Sequence, residues 1–161
     1  MNPSFALFKK FVTNPISFTF FLLQKLPAAF FVGLKVHELT TTICVIKVRY
    51  SWFSKNPFKS MYFAAQAMAA EMSTGLLAFG QLYKRSPKVS MLVIRMEVNY
   101  IKKGTGMLYF TCEDGQAIQH CIQKAIETKE VQTLVCKSTG KNEEGEVVAE
   151  FFFTWSFKSK L

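Results

Sequence analysis

Acidic residues are scarce in this sequence. Eleven Asp and Glu residues stand against 20 Lys and Arg, which gives the chain a formal net charge of +9. This balance favours an anionic partner, such as a phosphorylated cofactor, a nucleic acid or a membrane surface. The basic residues are dispersed and no aromatic and basic recognition motif accompanies them, so the sequence argues against a nucleic-acid-binding module.

Cysteine and histidine are also few, with four and two residues. A zinc site or a disulfide framework would need paired cysteines in a CxxC pattern or a His cluster beside them, and neither pattern occurs. We therefore expect no metal and a reduced, cytoplasmic setting. His37 and His120 are isolated in the sequence, which is typical of structural or exposed histidines.

The sequence lacks an apolar run long enough to cross a bilayer, which takes roughly 20 residues. The Phe- and Leu-rich stretch 18–34 is interrupted by Gln24, Lys25 and Pro27. We expect a helix, a break at the proline and a second short helix, with the phenylalanines packed on the protein instead of entering a membrane. These phenylalanines include Phe18, Phe20, Phe21, Phe30 and Phe31. The alternative, which the basic charge favours, is an anchor on a membrane surface.

Half of the 161 residues are apolar, which is enough for one compact domain with a sizeable core. Alternating apolar and polar residues predict strands, and an amphipathic pattern at 116–129 predicts a short helix. The predicted strands cover residues 40–50, 89–102, 107–113, 131–138 and 147–158. The Gly-Thr-Gly turn predicts that the second and third strands form a hairpin, and the polar loop 139–145 predicts the same for the last two.

The strand predicted at 89–102 has a clearly apolar face. Alternate residues of a strand share one face, and here those on one face are all apolar or aromatic, so their side chains should point toward the core. They are Leu92, Ile94, Met96, Val98 and Tyr100.

The Ala-rich segment 61–83 carries a single charged residue, Glu71. Such a segment predicts a buried helix, and the consecutive strands predict an antiparallel sheet wrapped around it, an α+β fold. A buried carboxylate is costly unless it is paired, protonated or used in chemistry. Glu71 is therefore the main candidate for a functional residue. The alternative is a structural acid neutralised by a neighbouring Arg or Tyr.

The order of a strand, an Asn-containing loop, an Ala-rich helix with a carboxylate and four strands resembles the hotdog fold. It is especially similar to the acyl-CoA thioesterases related to those of phenylacetate metabolism. In that group, an Asn is followed six residues later by His-Gly-Gly and fifteen residues later by an Asp or Glu. Asn56 and Glu71 match this spacing, whereas Tyr62, Phe63 and Ala64 replace the His-Gly-Gly.

The resemblance covers about residues 36–158 and implies a hotdog domain at 36–161 behind an N-terminal helical extension at 1–35. The segment 149–155 is similar to the last strand of an uncharacterised branch of this superfamily. The resemblance also implies a homodimer or homotetramer, because hotdog subunits close their sheet edges by pairing. The site would then form across the interface, where the loop of one subunit meets the helix of the other.

For function, the resemblance implies hydrolysis of an acyl-CoA thioester, with CoA as part of the substrate and no separate cofactor. Glu71 would act as general base or nucleophile. Asn56 would belong to the catalytic loop, and the backbone N–H of Phe63 would stabilise the oxyanion at the start of the helix. Residues expected to contact the substrate are Tyr62, Ala64, Ser73, Thr74, Lys102 and Lys103.

Several of these candidates have a structural alternative. Asn56 before Pro57 is typical of a helix N-cap. Packing is the favoured role for Tyr62. The hydroxyls of Ser73 and Thr74 would instead hydrogen-bond to the preceding turn of the helix. The two lysines beside the Gly-Thr-Gly turn would meet CoA phosphates as point charges.

The function also has alternatives. A hotdog hydratase would pair a His with the helix acid, and no His lies between His37 and His120. The remaining alternative is a non-catalytic hotdog protein that binds acyl-CoA or lipid, or acts as a scaffold.

Overall fold

The computed structural model describes residues 2–160, which form five helices and six strands. The helices are α1 (Phe5–Thr13), α2 (Pro15–Lys25), α3 (Pro27–Val32), α4 (Phe63–Leu82) and α5 (Gly115–Thr128). The strands are β1 (Lys35–Leu39), β2 (Cys44–Arg49), β3 (Val89–Tyr100), β4 (Met107–Cys112), β5 (Gln132–Lys141) and β6 (Val147–Ser159). Within residues 2–160, none of the helices has both the length and the apolar character needed to cross a bilayer.

The six strands form one antiparallel sheet in the order β1-β2-β4-β5-β6-β3. The long helix α4 packs against β2, β4, β5 and β6. Large aromatic side chains fill the space inside the sheet, among them the fully buried Phe110, Phe151 and Phe157. The predicted hotdog architecture, an antiparallel sheet around a long central helix, is confirmed.

Small residues let α4 approach the sheet closely. Ala65, Ala69, Ala70 and Ala78 are all buried on this helix. Alanine has the highest helix propensity and adds little bulk, so one sequence feature supports both the helix and its burial.

The N-terminal helices share the core of the sheet domain. Proline begins α2 and α3 as it does many helices, and this confirms the predicted break at Pro27. The first helix α1 and the strand β1 were not predicted. Phe5, Phe8 and Phe18 are buried in the same apolar cluster as the sheet residues, so the predicted boundary at residue 35 does not separate two cores.

Asn2 joins the extension to the end of α4. Its Nδ2 donates hydrogen bonds to the backbone oxygens of Gly80 and Tyr83, at 3.1 and 2.7 Å. These carbonyls lie at the C-terminal end of α4 and at its C-cap residue, where a helix lacks internal partners for its C=O groups. Gly80 also allows the close approach of α1, because a Cβ there would lie 2.5 Å from Cε2 of Phe5.

The hairpin predicted between the second and third predicted strands is wrong. β3 pairs with β6 alone, while β4 lies between β2 and β5. The Gly-Thr-Gly segment instead carries the chain across to the other side of the sheet, and Met61 N donates to the oxygen of Gly104 at 2.7 Å. A local turn signal cannot identify a partner strand that comes about 50 residues later.

The predicted burial of the apolar face of β3 is also wrong for the single chain. Leu92, Ile94, Met96 and Tyr100 are exposed, and only Val98 is partly covered. β3 is the edge strand of the sheet, whereas α4 packs mainly against β2, β4, β5 and β6. A β-bulge between Val93 and Arg95 also interrupts the alternation on which the prediction rested.

The contact between α1 and α4 gives a stability prediction. Replacing Gly80 with alanine stabilises an isolated helix by about 1 kcal/mol, but here the added methyl group collides with the Phe5 ring. We expect Gly80→Ala to destabilise the protein by about 1–3 kcal/mol, measured by urea unfolding. A variant as stable as the parent, or more so, would show that α1 does not hold this position against α4.

Candidate active site

The loop before α4 is organised by the Asn56 side chain. Its Oδ1 accepts hydrogen bonds from the backbone N–H groups of Phe58 at 2.9 Å and Ser60 at 3.3 Å. Asn commonly closes turns in this way. Since α4 begins at Phe63, the N-cap interpretation of Asn56 and Pro57 is wrong, and Asn56 shapes a turn that precedes the helix.

A cavity of about 750 Å³ opens where this loop meets the start of α4. It is lined by Asn56, Tyr62, Phe63, Lys102 and Lys103, all named from the sequence, together with neighbours that include Gln66 and Tyr100. We call it the loop cavity. The backbone N–H groups of Phe63 and Ala64 have no acceptor within residues 2–160, as expected for the first turn of a helix.

The polar side chains of the loop cavity are only partly engaged. Lys102 pairs with Glu146, and Lys103 Nζ donates to the oxygen of Phe58 at 3.4 Å. The exposed Tyr62 ring contacts that of Phe63 edge-on, with centroids 4.7 Å apart. Ala64 is partly buried and does not line the cavity.

Gln66 is a cavity residue that sequence reasoning missed. Its side chain is only 3% exposed, and its Nε2 donates to the oxygen of Met61 at 3.3 Å. Its Oε1 has no hydrogen-bond partner within residues 2–160. A buried amide oxygen without a partner is costly in a folded protein. The signal was present in the sequence, because Gln66 interrupts the Ala-rich helix just as Glu71 does.

Glu71 lies beside a second, smaller cavity of about 160 Å³, which we call the Glu71 cavity. Phe21 and Leu26 from the N-terminal segment, Phe79 from α4 and Met91 from β3 contribute to its wall. Within residues 2–160, the carboxylate forms no ion pair or hydrogen bond. Burial in these apolar surroundings raises the pKa of Glu71 above its ordinary value.

Gly75 leaves room for the Glu71 carboxylate. A Cβ on Gly75 would lie 3.0 Å from Oε1 of Glu71 and 3.5 Å from the Trp155 ring. The carboxylate thus lies against the next turn of its own helix, at Gly75.

Ser73 and Thr74 are structural in the single chain. The Ser73 hydroxyl donates to the oxygen of Ala70 at 2.7 Å and lies 2.8 Å from the hydroxyl of Ser138 on β5. The Thr74 hydroxyl donates to the backbone oxygen of Glu71 and accepts from Nε1 of Trp155, both at 2.9 Å. The bonds to Ser138 and Trp155 join α4 to the sheet, and within residues 2–160 neither hydroxyl hydrogen-bonds to the carboxylate of Glu71.

A single subunit does not bring the two cavities together. Met91 lines the Glu71 cavity and Tyr100 lines the loop cavity. Met91 and Tyr100 lie nine positions apart on β3, roughly 30 Å. On α4, Phe63 of the loop cavity precedes Glu71 by eight residues, roughly 12 Å along the helix axis. Asn56 and Phe63 therefore do not share a cavity with Glu71 in one chain.

The sequence pattern of the family described as a domain of unknown function, DUF4442, matches residues 16–157. No curated protein matches the chain. The fold is similar to a Pseudomonas aeruginosa protein of unknown function described as a probable thioesterase, with a TM-score of 0.75 and 20% identity over 93% of this chain and 99% of that one.

Two further solved structures share the fold. A Chlorobaculum tepidum protein of unknown function has a TM-score of 0.75 and 13% identity, over 92% of this chain and 99% of that chain. A thioesterase from Haemophilus influenzae has a TM-score of 0.62 and 11% identity, over 85% of this chain and 86% of that chain. At such low identity, these likenesses establish the fold.

The raised pKa of Glu71 predicts how stability depends on pH. The pKa of Glu71 is near 4.5 in the unfolded chain and higher in the folded chain. The free energy of unfolding therefore falls as the pH rises from 4.5 through the folded pKa, because ionising the carboxyl group is less favourable in the folded state. Glu71→Gln removes this penalty. We expect its melting temperature to exceed that of the parent at pH 7.5 and the difference to shrink below pH 4.5.

Differential scanning fluorimetry across this pH range measures the effect, with the exposed Glu130 replaced by Gln as the control. A Glu71→Gln variant less stable than the parent at pH 7.5 would mean that the carboxylate has a stabilising partner.

Proposed function

The chain belongs to the DUF4442 family, and we propose that it is a thioesterase that hydrolyses acyl-CoA, with Glu71 as general base or nucleophile. The observation that carries the proposal is the state of Glu71. It is the carboxylate of the central helix in a fold shared with thioesterases, it has no partner within residues 2–160, and its pKa is raised. A base with a pKa closer to neutrality is better suited to accept a proton at working pH.

In the proposed reaction, a water oxygen forms a bond to the thioester carbonyl carbon and Glu71 accepts the water proton. The carbon–sulfur bond then breaks, and the thiolate leaves and takes up a proton to give free CoA. In the nucleophilic alternative, the Glu71 carboxylate attacks first and water hydrolyses the resulting anhydride. Both routes place negative charge on the carbonyl oxygen. The free N–H of Phe63, at the positive end of α4, is suited to stabilise it.

Two copies of the chain would complete such a site. β3 has one unpaired edge and exposes Leu92, Ile94 and Met96, features of a strand that pairs with another. Antiparallel pairing about a two-fold axis between Arg95 and Met96 would place Met91 opposite the partner's Tyr100. The Glu71 cavity of one subunit would then adjoin the loop cavity of the other.

The two cavities suit different parts of an acyl-CoA. The Glu71 cavity is lined mainly by apolar side chains such as Phe21, Met72 and Phe79, which suits an acyl chain. The loop cavity has Lys55 and Lys103 on its rim, and lysines bind phosphates as point charges. The assembly we propose is a homodimer, or a tetramer built from two such dimers.

A non-catalytic acyl-CoA-binding or scaffold protein is the alternative. It is favoured by Phe63, a bulky residue at the position where the thioesterase motif has glycine. In this structure, the Phe63 side chain is exposed and lies against Tyr62, which leaves the backbone N–H free. That geometry supports the enzyme over the binder.

The first functional prediction concerns Glu71. We expect Glu71→Gln to lower acyl-CoA hydrolysis by on the order of 10²-fold or more, because the amide keeps the shape and cannot accept the proton. Thiol release from a panel of acyl-CoAs measures the activity, and Glu130→Gln should retain it. Full activity in Glu71→Gln would exclude the assigned role, and binding without turnover by the parent would favour the alternative.

The second prediction concerns the shared site. Asn56→Ala and Glu71→Gln should each be impaired alone. Refolding an equal mixture should restore roughly a quarter of the parent activity, because half of the dimers are mixed and each carries one intact site. A monomer by light scattering, or no recovery in dimers shown to be mixed, would contradict a site formed by two subunits.

A further inference from the structure

The N-terminal helices expose apolar side chains on their outer faces. On α2, Phe18 and Leu22 are buried, whereas Ile16, Phe20 and Leu23 are exposed. The spacings of four and three residues place the exposed set on one side of the helix. The prediction that Phe20 and Phe31 pack on the protein is therefore wrong, while Phe18, Phe21 and Phe30 do contact the core. Amphipathic spacing cannot assign sides when both faces of a helix are apolar.

A second exposed group lies in the loop after β2. Trp52 and Phe53 are both exposed, with ring centroids 4.9 Å apart. Phe31 of α3 is exposed too, and its ring centroid lies 5.6 Å from that of Phe53. Nζ of Lys55 lies 5.7 Å from the centre of the Trp52 ring. Two separate segments thus build one outward-facing cluster, which we call the aromatic cluster.

Most of the net positive charge lies in the first 70 residues, which also contain α2 and the aromatic cluster. Residues 1–70 contain eight basic residues and a single acidic residue, Glu38, whereas the other ten acidic residues all follow residue 70. The eight are Lys9, Lys10, Lys25, Lys35, Lys47, Arg49, Lys55 and Lys59. Within residues 2–160, none of them forms an ion pair.

We propose that the aromatic cluster and the outer face of α2 bind the surface of an anionic lipid bilayer. Tryptophan and phenylalanine side chains partition into the boundary between headgroups and acyl chains, and nearby lysines are attracted to anionic headgroups. A second copy of the chain is a poor occupant, because a two-fold contact through this surface would bring two basic regions together. The inference does not depend on thioesterase activity.

The two tryptophans make the proposal directly testable. Trp52 is 71% exposed, whereas Trp155 is 4% exposed and hydrogen-bonded inside the sheet. We expect vesicles of phosphatidylcholine with 30% phosphatidylserine to shift the fluorescence emission of the full chain to the blue, and brominated lipids to quench it. Trp52→Phe should bind the vesicles in flotation yet lose the shift. Pure phosphatidylcholine vesicles, or 0.5 M salt, should reduce binding several-fold.

Two charge-introducing variants map the surface. Phe31→Glu should lower vesicle binding at least tenfold, whereas Val131→Glu, at a residue of matched exposure (53% and 52%) in the part of the chain that carries ten of the eleven acidic residues, should bind like the parent. Absence of binding to anionic vesicles by the parent would overturn the proposal, as would equal binding by Phe31→Glu. Loss of the dimer in Phe31→Glu, with no vesicle binding by the parent, would identify the cluster as a contact between subunits.

Discussion

Enclosing an almost uncharged helix inside a sheet is the constraint on which this structure depends. Every polar group of α4 must find a partner within the protein, since water is excluded. Most do: Ser73 and Thr74 bond to the sheet, and Asn2 satisfies carbonyls at the end of the helix. Within residues 2–160, three side chains of α4 keep an unpaired polar group: the Glu71 carboxylate, Oε1 of Gln66 and Nε2 of Gln81. Two of the three, Glu71 and Gln66, lie at the cavities of the candidate site.

The fold was largely predictable because its elements are locally encoded. Alternation located the strands β2 to β6, and an Ala-rich run located α4, with ends within a few residues of those observed. The failures concern relations between elements. The segment 104–106 does connect β3 to β4, as predicted, but the two strands are not neighbours in the sheet because β3 pairs with β6. The strand β1 was not predicted, because a short and mostly exposed strand shows no clear alternation of apolar and polar residues.

The candidate site was less predictable than the fold. Glu71 was identified because it is the one charged residue in the segment 61–83, which the sequence shows without any structure. The spacing of Asn56 and Glu71 matched the thioesterase pattern, yet one subunit places them at different cavities. Sequence spacing nominates candidate residues and does not tell whether one subunit or two would bring them together. The hydrogen bonds of Ser73 to Ser138 and of Thr74 to Trp155 could not be predicted, because they join residues that are far apart in the sequence.

Helix α2 has one residue at the Glu71 cavity and others at the outer surface. Phe21 faces the Glu71 cavity, while its neighbour Phe20 faces outward. A shift of this helix therefore changes both sides at once. Suppose that an acyl chain in the cavity moves α2 and thereby changes the affinity of the outer face for its ligand. Binding of that ligand must then change the affinity of the cavity for the acyl chain by the same factor. In that case, α2 would couple occupancy of the cavity to attachment of the protein in both directions.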